Sequence, residues 1–176
     1  MTINRLASPW VIHPLRVRYQ ETDRMGVVFH GNYVTWFEIG RTEWIRAAGW
    51  NYRSIEESGL LLPVIDLRCK YVLPARYDDR VIICTRVTEL SPLRMTFESQ
   101  VRRVEEESVS QLSGDCYWNG NEELPGELLV QGGTSHVWVN EEWRPSRLDR
   151  SIPVLYKLLQ SLMDGEATGG PETINS

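Results

Sequence analysis

Apolar and polar residues alternate near the start of the chain, where Leu15, Val17 and Tyr19 take turns with Arg16, Arg18 and Gln20. A period of two sends successive side chains to opposite faces of a strand, so a first strand is predicted over residues 11–20. Pro14 lacks an amide N–H, which restricts that strand to an edge or to a start after the proline. The period then changes. Over residues 33–48 the positions Tyr33, Trp36, Phe37, Gly40, Trp44, Ala47 and Ala48 recur at three- and four-residue steps, while Glu38, Arg41 and Arg46 lie off that stripe. This predicts an amphipathic helix of about four turns, with Asn32 as its N-cap and Gly49 as its stop. Gly40 costs such a helix about 1 kcal/mol relative to alanine. Its place on the apolar stripe therefore predicts close approach to another backbone, with the helix hard against a sheet.

The rest of the chain reads largely as sheet. A short helix is expected over residues 52–58, stopped by Gly59. Ile65, Leu67, Cys69, Tyr71 and Leu73 then alternate with Asp66, Arg68, Lys70 and Val72, a long strand that Pro74 ends. Strands over 80–90 and 94–104 are separated by Ser91-Pro92-Leu93, a hairpin-length connection that predicts antiparallel neighbours. Residues 105–127 begin with three acidic residues and carry Ser113-Gly114, Asn119-Gly120 and Pro125-Gly126. They read as an extended hairpin with 109–118 as an extra or lengthened strand. A strand follows over 128–140, where Gly132-Gly133 marks a bulge or a close backbone approach. Ile152, Leu155, Leu159 and Leu162 have helical spacing, and the tail 164–176 is expected to be disordered. One strand, one long helix and several antiparallel strands define an α+β domain with a curved sheet around a helix.

Composition narrows the classes. A chain of 176 residues with 41% hydrophobic content suits one core rather than two domains. The 24 acidic and 19 basic residues give a net charge of −5, with the basic residues scattered, which argues against nucleic acid as the main partner. No apolar run approaches the roughly 18 residues of a membrane span, and the N-terminus lacks the pattern of a secretory signal. No membrane insertion and a cytoplasmic location are expected. Cys69, Cys84 and Cys116 are odd in number and irregularly spaced, which supports neither a disulfide framework nor a zinc motif and favours packing thiols.

Candidate chemistry concentrates between the first strand and the helix. Asp23 and His30 lie seven residues apart in a loop that also holds Gly26 and Gly31. The run T-D-R-M-G-V-V-F-H-G-N-Y from Thr22 to Tyr33 resembles the signature of hotdog-fold acyl-CoA thioesterases, in particular the 4-hydroxybenzoyl-CoA thioesterase branch. R-T-E-W at Arg41, Y-V-L-P-A-R-Y-D-D at Tyr71 and G-G-T-S-H-V-W-V at Gly132 look like later blocks of the same family. The resemblance implies a hotdog fold over residues 1–148, an antiparallel sheet wrapped around one long central helix; the chain departs from the family pattern by an insertion near 105–127 and by a C-terminal helix over 149–163. It also implies a homodimer or homotetramer whose sheet continues across subunits, with sites at the interface.

Thioester hydrolysis needs a carboxylate nucleophile or an activated water, and donors for the developing oxyanion. The resemblance gives the first task to Asp23, as nucleophile or general base; without the flanking motif, a turn aspartate is the commoner reading of T-D-R-M-G. The N–H groups of His30 and Gly31, at the positive end of the helix, are the implied oxyanion donors. The His30 side chain is a second catalytic candidate, with a cap or surface histidine as the equal alternative. Tyr19, Gly31, Asn32 and Tyr33 are the candidate substrate-binding residues, Tyr19 as a strand residue shaping the pocket. His136 reads as structural and His13 has no partner signal. Arg76 and Arg94 could meet phosphates, although solvated arginines are commoner. No cofactor is expected, since CoA belongs to the acyl-CoA substrate, and acyl-carrier protein is the alternative thiol donor. Two rival functions stand beside hydrolysis: an enoyl-thioester hydratase or dehydratase, whose D-x-N-P-x-H element is absent here, and a non-catalytic acyl-thioester-binding module.

Overall fold

The structure is a computed structural model that describes residues 7–112, 117–118 and 123–165. Its strands are β1 (Trp10–Arg16), β2 (Val64–Tyr71), β3 (Arg80–Leu90), β4 (Arg94–Arg103), β5 (Tyr117–Trp118) and β6 (Glu127–Val137). Its helices are α1 (His30–Ala47), α2 (Tyr52–Glu57), α3 (Glu106–Leu112), α4 (Leu148–Ser151) and α5 (Pro153–Met163). The strands form one sheet in the order β2-β6-β4-β3-β1-β5, with every neighbouring pair antiparallel. The expected tail from 164 lies almost wholly outside the described residues.

The central helix buries Tyr33, Trp36, Phe37, Gly40, Trp44 and Ile45. A Cβ on Gly40 would stand 2.2 Å from Thr85 Oγ1 and 2.8 Å from Ile83 Cγ2. The predicted close approach is therefore made to β3 side chains rather than to backbone. Toward its start, α1 packs Tyr33, Trp36 and Phe37 against Val17, Val28, Ala75 and Val81. Toward its end, Trp44 and Ile45 join Phe97, Trp138 and the α5 residues Leu155, Leu159 and Leu162. Full burial of each such side chain contributes about 1.5–3 kcal/mol, so the helix and sheet stabilise each other.

Both ends of α1 follow from local chemistry. Gly49, at φ +85°, donates to Arg46 O at 2.8 Å, and Trp50 N–H reaches Ile45 O at 3.1 Å, a glycine-terminated C-cap as predicted. The start differs from expectation. The helix begins at His30 with Phe29 as its N-cap, and Asn32 sits inside the first turn. The Asn32 amide Nδ2 donates to Glu21 O at 2.8 Å, so the side chain anchors the preceding loop instead of capping. The first strand also ends early, at Arg16, because Val17 N–H turns to Asp79 O at 3.0 Å and Tyr19–Glu21 form a 3-10 turn.

Three further elements depart from the sequence reading or refine it. Within the segment read as an extended hairpin, 106–112 form a helix whose first turn holds Glu106 and Glu107, where negative charge is favoured, while 117–118 form the short strand β5 beside β1, and 113–116 and 119–122 lie outside the described residues. Glu106 is gripped there by Arg16 at 2.7 Å and Arg80 at 2.6 Å. Val109, Val104 and Leu124 cover Trp10, Ile12, Ile82 and Cys84. These strand residues alternate with Ile83 and Thr85 beneath Gly40, so the segment lies on the sheet face opposite α1. The C-terminal helix is broken at Ile152, since Pro153 has no N–H to continue α4. Finally, β2 forms one end of the sheet and leaves Ile65 and Leu67 exposed despite its alternating pattern.

Candidate active site at the start of the central helix

The loop between β1 and α1 is tied down at several points. Asp78 N–H donates to Val17 O at 3.1 Å, joining the loop's first residue to the turn after β2. Asp23 then closes a small turn: its N–H reaches Val27 O at 2.9 Å, and Gly26 N–H reaches Asp23 O at 3.0 Å. Gly26 takes φ +73°, a conformation that glycine adopts without strain. The Met25 N–H donates to Asp23 Oδ1 at 2.8 Å, which fixes the carboxylate's orientation.

Asp23 opens onto a cleft of about 230 Å³ shared with His30, Val28, Tyr33, Tyr71 and Leu73. The cleft lies between the loop and helix start on one side and the end of β2 on the other. The Tyr33 hydroxyl accepts the Ala75 N–H at 2.9 Å, and the Tyr71 hydroxyl donates to His30 O at 3.0 Å. These two phenols link the walls. Burial raises the Tyr33 pKa, and desolvation together with the adjacent Cys69 thiol pushes Tyr71 up to about 12. Both therefore stay protonated at neutral pH.

The helix start supplies the donors. Asn32 N–H is taken by Phe29 O at 2.9 Å, whereas no acceptor among the described residues pairs with the N–H of His30 or Gly31. Helix-start amides without intrahelical partners carry the positive end of the macrodipole and suit an anion. The His30 ring is exposed, tilted against Phe29 at 4.2 Å and edge-on to Tyr71 at 6.4 Å.

The structure thus brings together Asp23, His30 and Tyr33 around the cleft, with Gly31 beside His30 in the first turn. Asn32 belongs to the frame through its bond to Glu21 O. Tyr19 stands apart: it is 77% exposed on the 3-10 turn, edge-on to Tyr77 at 5.6 Å, and is not a cleft residue. It therefore stands on a turn and not on the strand that the alternation predicts. Arg76 is exposed on the turn before β3, whereas Arg94 begins β4 beside the far end of β3, so the two do not converge.

His136 is structural as read. It is buried, with Nδ1 3.1 Å from Leu62 O and Nε2 2.8 Å from Thr134 Oγ1; burial and then the charge of Arg41 lower its pKa to about 4. Cys84 packs in the sheet, where burial raises its thiol pKa to about 12. Cys116 lies outside the described residues. The main omission of the sequence reading is Glu21, a buried carboxylate beneath the site. Burial opposes its charge, but hydrogen bonds from the Arg18 side chain, the Arg18 N–H and the Trp36 indole outweigh that and hold the carboxyl below its usual range. The available signal was an acid two residues before Asp23 in a polar loop. Tyr71, a strand residue by its alternation, is also a cleft residue, and its place in the Y-V-L-P block is the signal for it.

An antiparallel sheet wrapped on a long helix is the hotdog arrangement. The chain belongs to the thioesterase superfamily, whose profile matches residues 25–110. YneP of Bacillus subtilis is 29% identical over 140 residues, covering 79% of this chain and 87% of that protein. The acyl-CoA thioesterase YbgC of Haemophilus influenzae is 35% identical over 91 residues, 51% of this chain and 67% of that protein. Among solved structures, a DHNA-CoA thioesterase from Staphylococcus aureus superposes with a TM-score of 0.72 at 30% identity, covering 91% of this chain and 97% of the other. Among the described residues, no helix is long and apolar enough to cross a membrane.

Proposed function

We propose that this protein hydrolyses an acyl-CoA thioester to the free acid and CoA in the cytoplasm, using Asp23 as the carboxylate catalyst and needing no cofactor. The observation that carries the reading is the shared cleft, which sets the Asp23 carboxylate and the helix-start residue His30 around one space. A thioester carbonyl polarised by the N–H groups of His30 and Gly31 would develop its negative charge where the helix favours it. Asp23 would then either attack the carbonyl carbon directly or take a proton from an attacking water. The His30 side chain would assist at the rim, and Gly31, Asn32 and Tyr33 would shape the substrate-binding turn. Tyr19, outside the cleft, would contribute only at the outer approach.

The loop motif favours the 4-hydroxybenzoyl-CoA thioesterase branch, and Tyr33 and Tyr71 give the cleft aromatic walls suited to such an acyl group. The exposed β2 edge supports a homodimer in which two copies pair along this strand. Release of free thiol from a panel of aromatic and aliphatic acyl-CoA substrates, with acyl-carrier-protein thioesters in parallel, tests the reading. Asp23→Asn is expected to remove turnover, and Asp23→Ala at near-wild-type rates would overturn the assignment. Single turnover in ¹⁸O-labelled water separates the two roles, since the nucleophilic route can leave label in the Asp23 carboxylate.

A further inference from the structure

We infer that Glu21 is a positioning residue that sets the separation between Asp23 and the amides at the start of α1; this rests on the hydrolysis proposed above. Glu21 is 4% exposed. A carboxylate at that depth is costly unless its oxygens are satisfied, and here three donors converge on them. Oε2 accepts the Arg18 N–H at 2.8 Å, while Oε1 accepts the Trp36 indole N–H at 3.0 Å and the Arg18 guanidinium at 3.0 Å. Its main-chain oxygen takes two more bonds, from Phe29 N–H at 2.9 Å and Asn32 Nδ2 at 2.8 Å.

One residue therefore holds the incoming loop, the N-cap, the first helical turn and the second. Asp23 follows two residues later, where the next turn begins. On the other side, the Trp36 ring meets Tyr33 edge-on at 4.9 Å, and Tyr33 meets Tyr71 at 5.6 Å. Tyr71 in turn bonds His30 O at 3.0 Å. Glu21 itself does not line the cleft, so its influence on the reaction must pass through these groups. A neutral amide would serve less well, because its NH₂ would face either the Arg18 N–H or the Trp36 N–H, donor against donor.

The rival role is a plain stability anchor, which would lower the melting temperature without changing turnover by the folded protein. The full chain is compared as wild type, Glu21→Gln, Trp36→Phe and the double variant, by kcat, KM, thermal unfolding and affinity for a non-hydrolysable acyl-CoA thioether. A displacement near 1 Å at a reacting centre can cost about 100-fold, so a kcat loss of about 10- to 100-fold is expected in folded Glu21→Gln. KM and thioether affinity should stay within about threefold. Trp36→Phe keeps an aromatic ring in the core and removes one donor, and should lose kcat in the same direction but less. The double variant should lose little beyond Glu21→Gln, because the two changes break one network. Folded Glu21→Gln or Trp36→Phe with kcat within about twofold of wild type would overturn the role, as would a fall in thioether affinity that matches the fall in kcat/KM. If Glu21→Gln does not fold, Trp36→Phe decides alone. A wild-type protein inert toward every thioester removes the hydrolysis and this inference together; full rates in Glu21→Gln beside a dead Asp23→Asn remove this inference only.

Discussion

The Tyr33 hydroxyl accepts the hydrogen bond of the Ala75 N–H at 2.9 Å, and so joins the first turn of the central helix to the segment that follows β2. Ala75 is fully buried, and no water can replace the bond without opening the cleft wall. Tyr33→Phe leaves that N–H unsatisfied, at a cost of about 1–3 kcal/mol. A lower urea midpoint with unchanged m-value, and a raised KM for the best thioester, are the expected outcomes. An unchanged midpoint would show that the bond contributes little.

Gly40 leaves no space for a side chain above Thr85. Gly40→Ala would place Cβ 2.2 Å from Thr85 Oγ1, and the overpacking should destabilise the fold by about 1–3 kcal/mol, despite alanine's better helix propensity. Thr85 Oγ1 has no hydrogen-bond partner, so trimming it is cheap. Gly40→Ala/Thr85→Ala should therefore recover most of the loss in chemical denaturation. Additive losses in the pair would count against the contact.

His136 gives the fold a defined response to acid. Its pKa is lowered from 6.5 to about 4, chiefly by burial, so below pH 6.5 the unfolded chain takes up a proton that the native state refuses. Stability contributed by the neutral ring is complete above pH 6.5 and is lost progressively down to about pH 4, by at most about 3 kcal/mol. Denaturation measured across that window should show a shallower pH slope in His136→Phe than in wild type. The His136→Phe protein will be less stable overall, because Leu62 O and Thr134 lose their partner. Equal slopes would mean that the ring titrates normally.

The apolar side chains of β2 test the assembly. Ile65 and Leu67 are 48% and 39% exposed on the terminal strand of the sheet. If two copies pair there, Ile65→Lys/Leu67→Lys should shift sedimentation from dimer to monomer and reduce activity, while the circular dichroism spectrum stays native. A wild-type protein that sediments as a monomer at all concentrations would remove the pairing.

What could be read from the chain was mostly local. The hairpin between β3 and β4, the glycine stop at Gly49 and the short α2 each depend on residues within a few positions of one another, and each appears where the pattern puts it. Asn51 caps α2 by accepting Ser54 N–H at 2.9 Å. The misreadings share a different cause. Asn32 has the composition of a cap but is drawn to Glu21 O, eleven residues earlier, and the alternation through Tyr19 is broken by bonds to Asp79 and Glu21. Glu21 itself could be valued only once Trp36 and Arg18 were known to converge on it. In the 105–127 segment the turn signals mask a helix start that Glu106 and Glu107 mark. The break at Pro153 was also written in the chain, since proline ends one helix and begins the next.

The two rims of the sheet are unequal. On the β1 side, β5 pairs with Trp10 and Val11, and Pro14 removes a donor from the same strand. On the β2 side, eight residues run along the rim with no strand beyond them among the described residues. A sheet with two equally open rims can add copies without end. Here a copy joined rim to rim along β2 by two-fold symmetry would present only blunted β1 rims outward, and growth would terminate after a single addition.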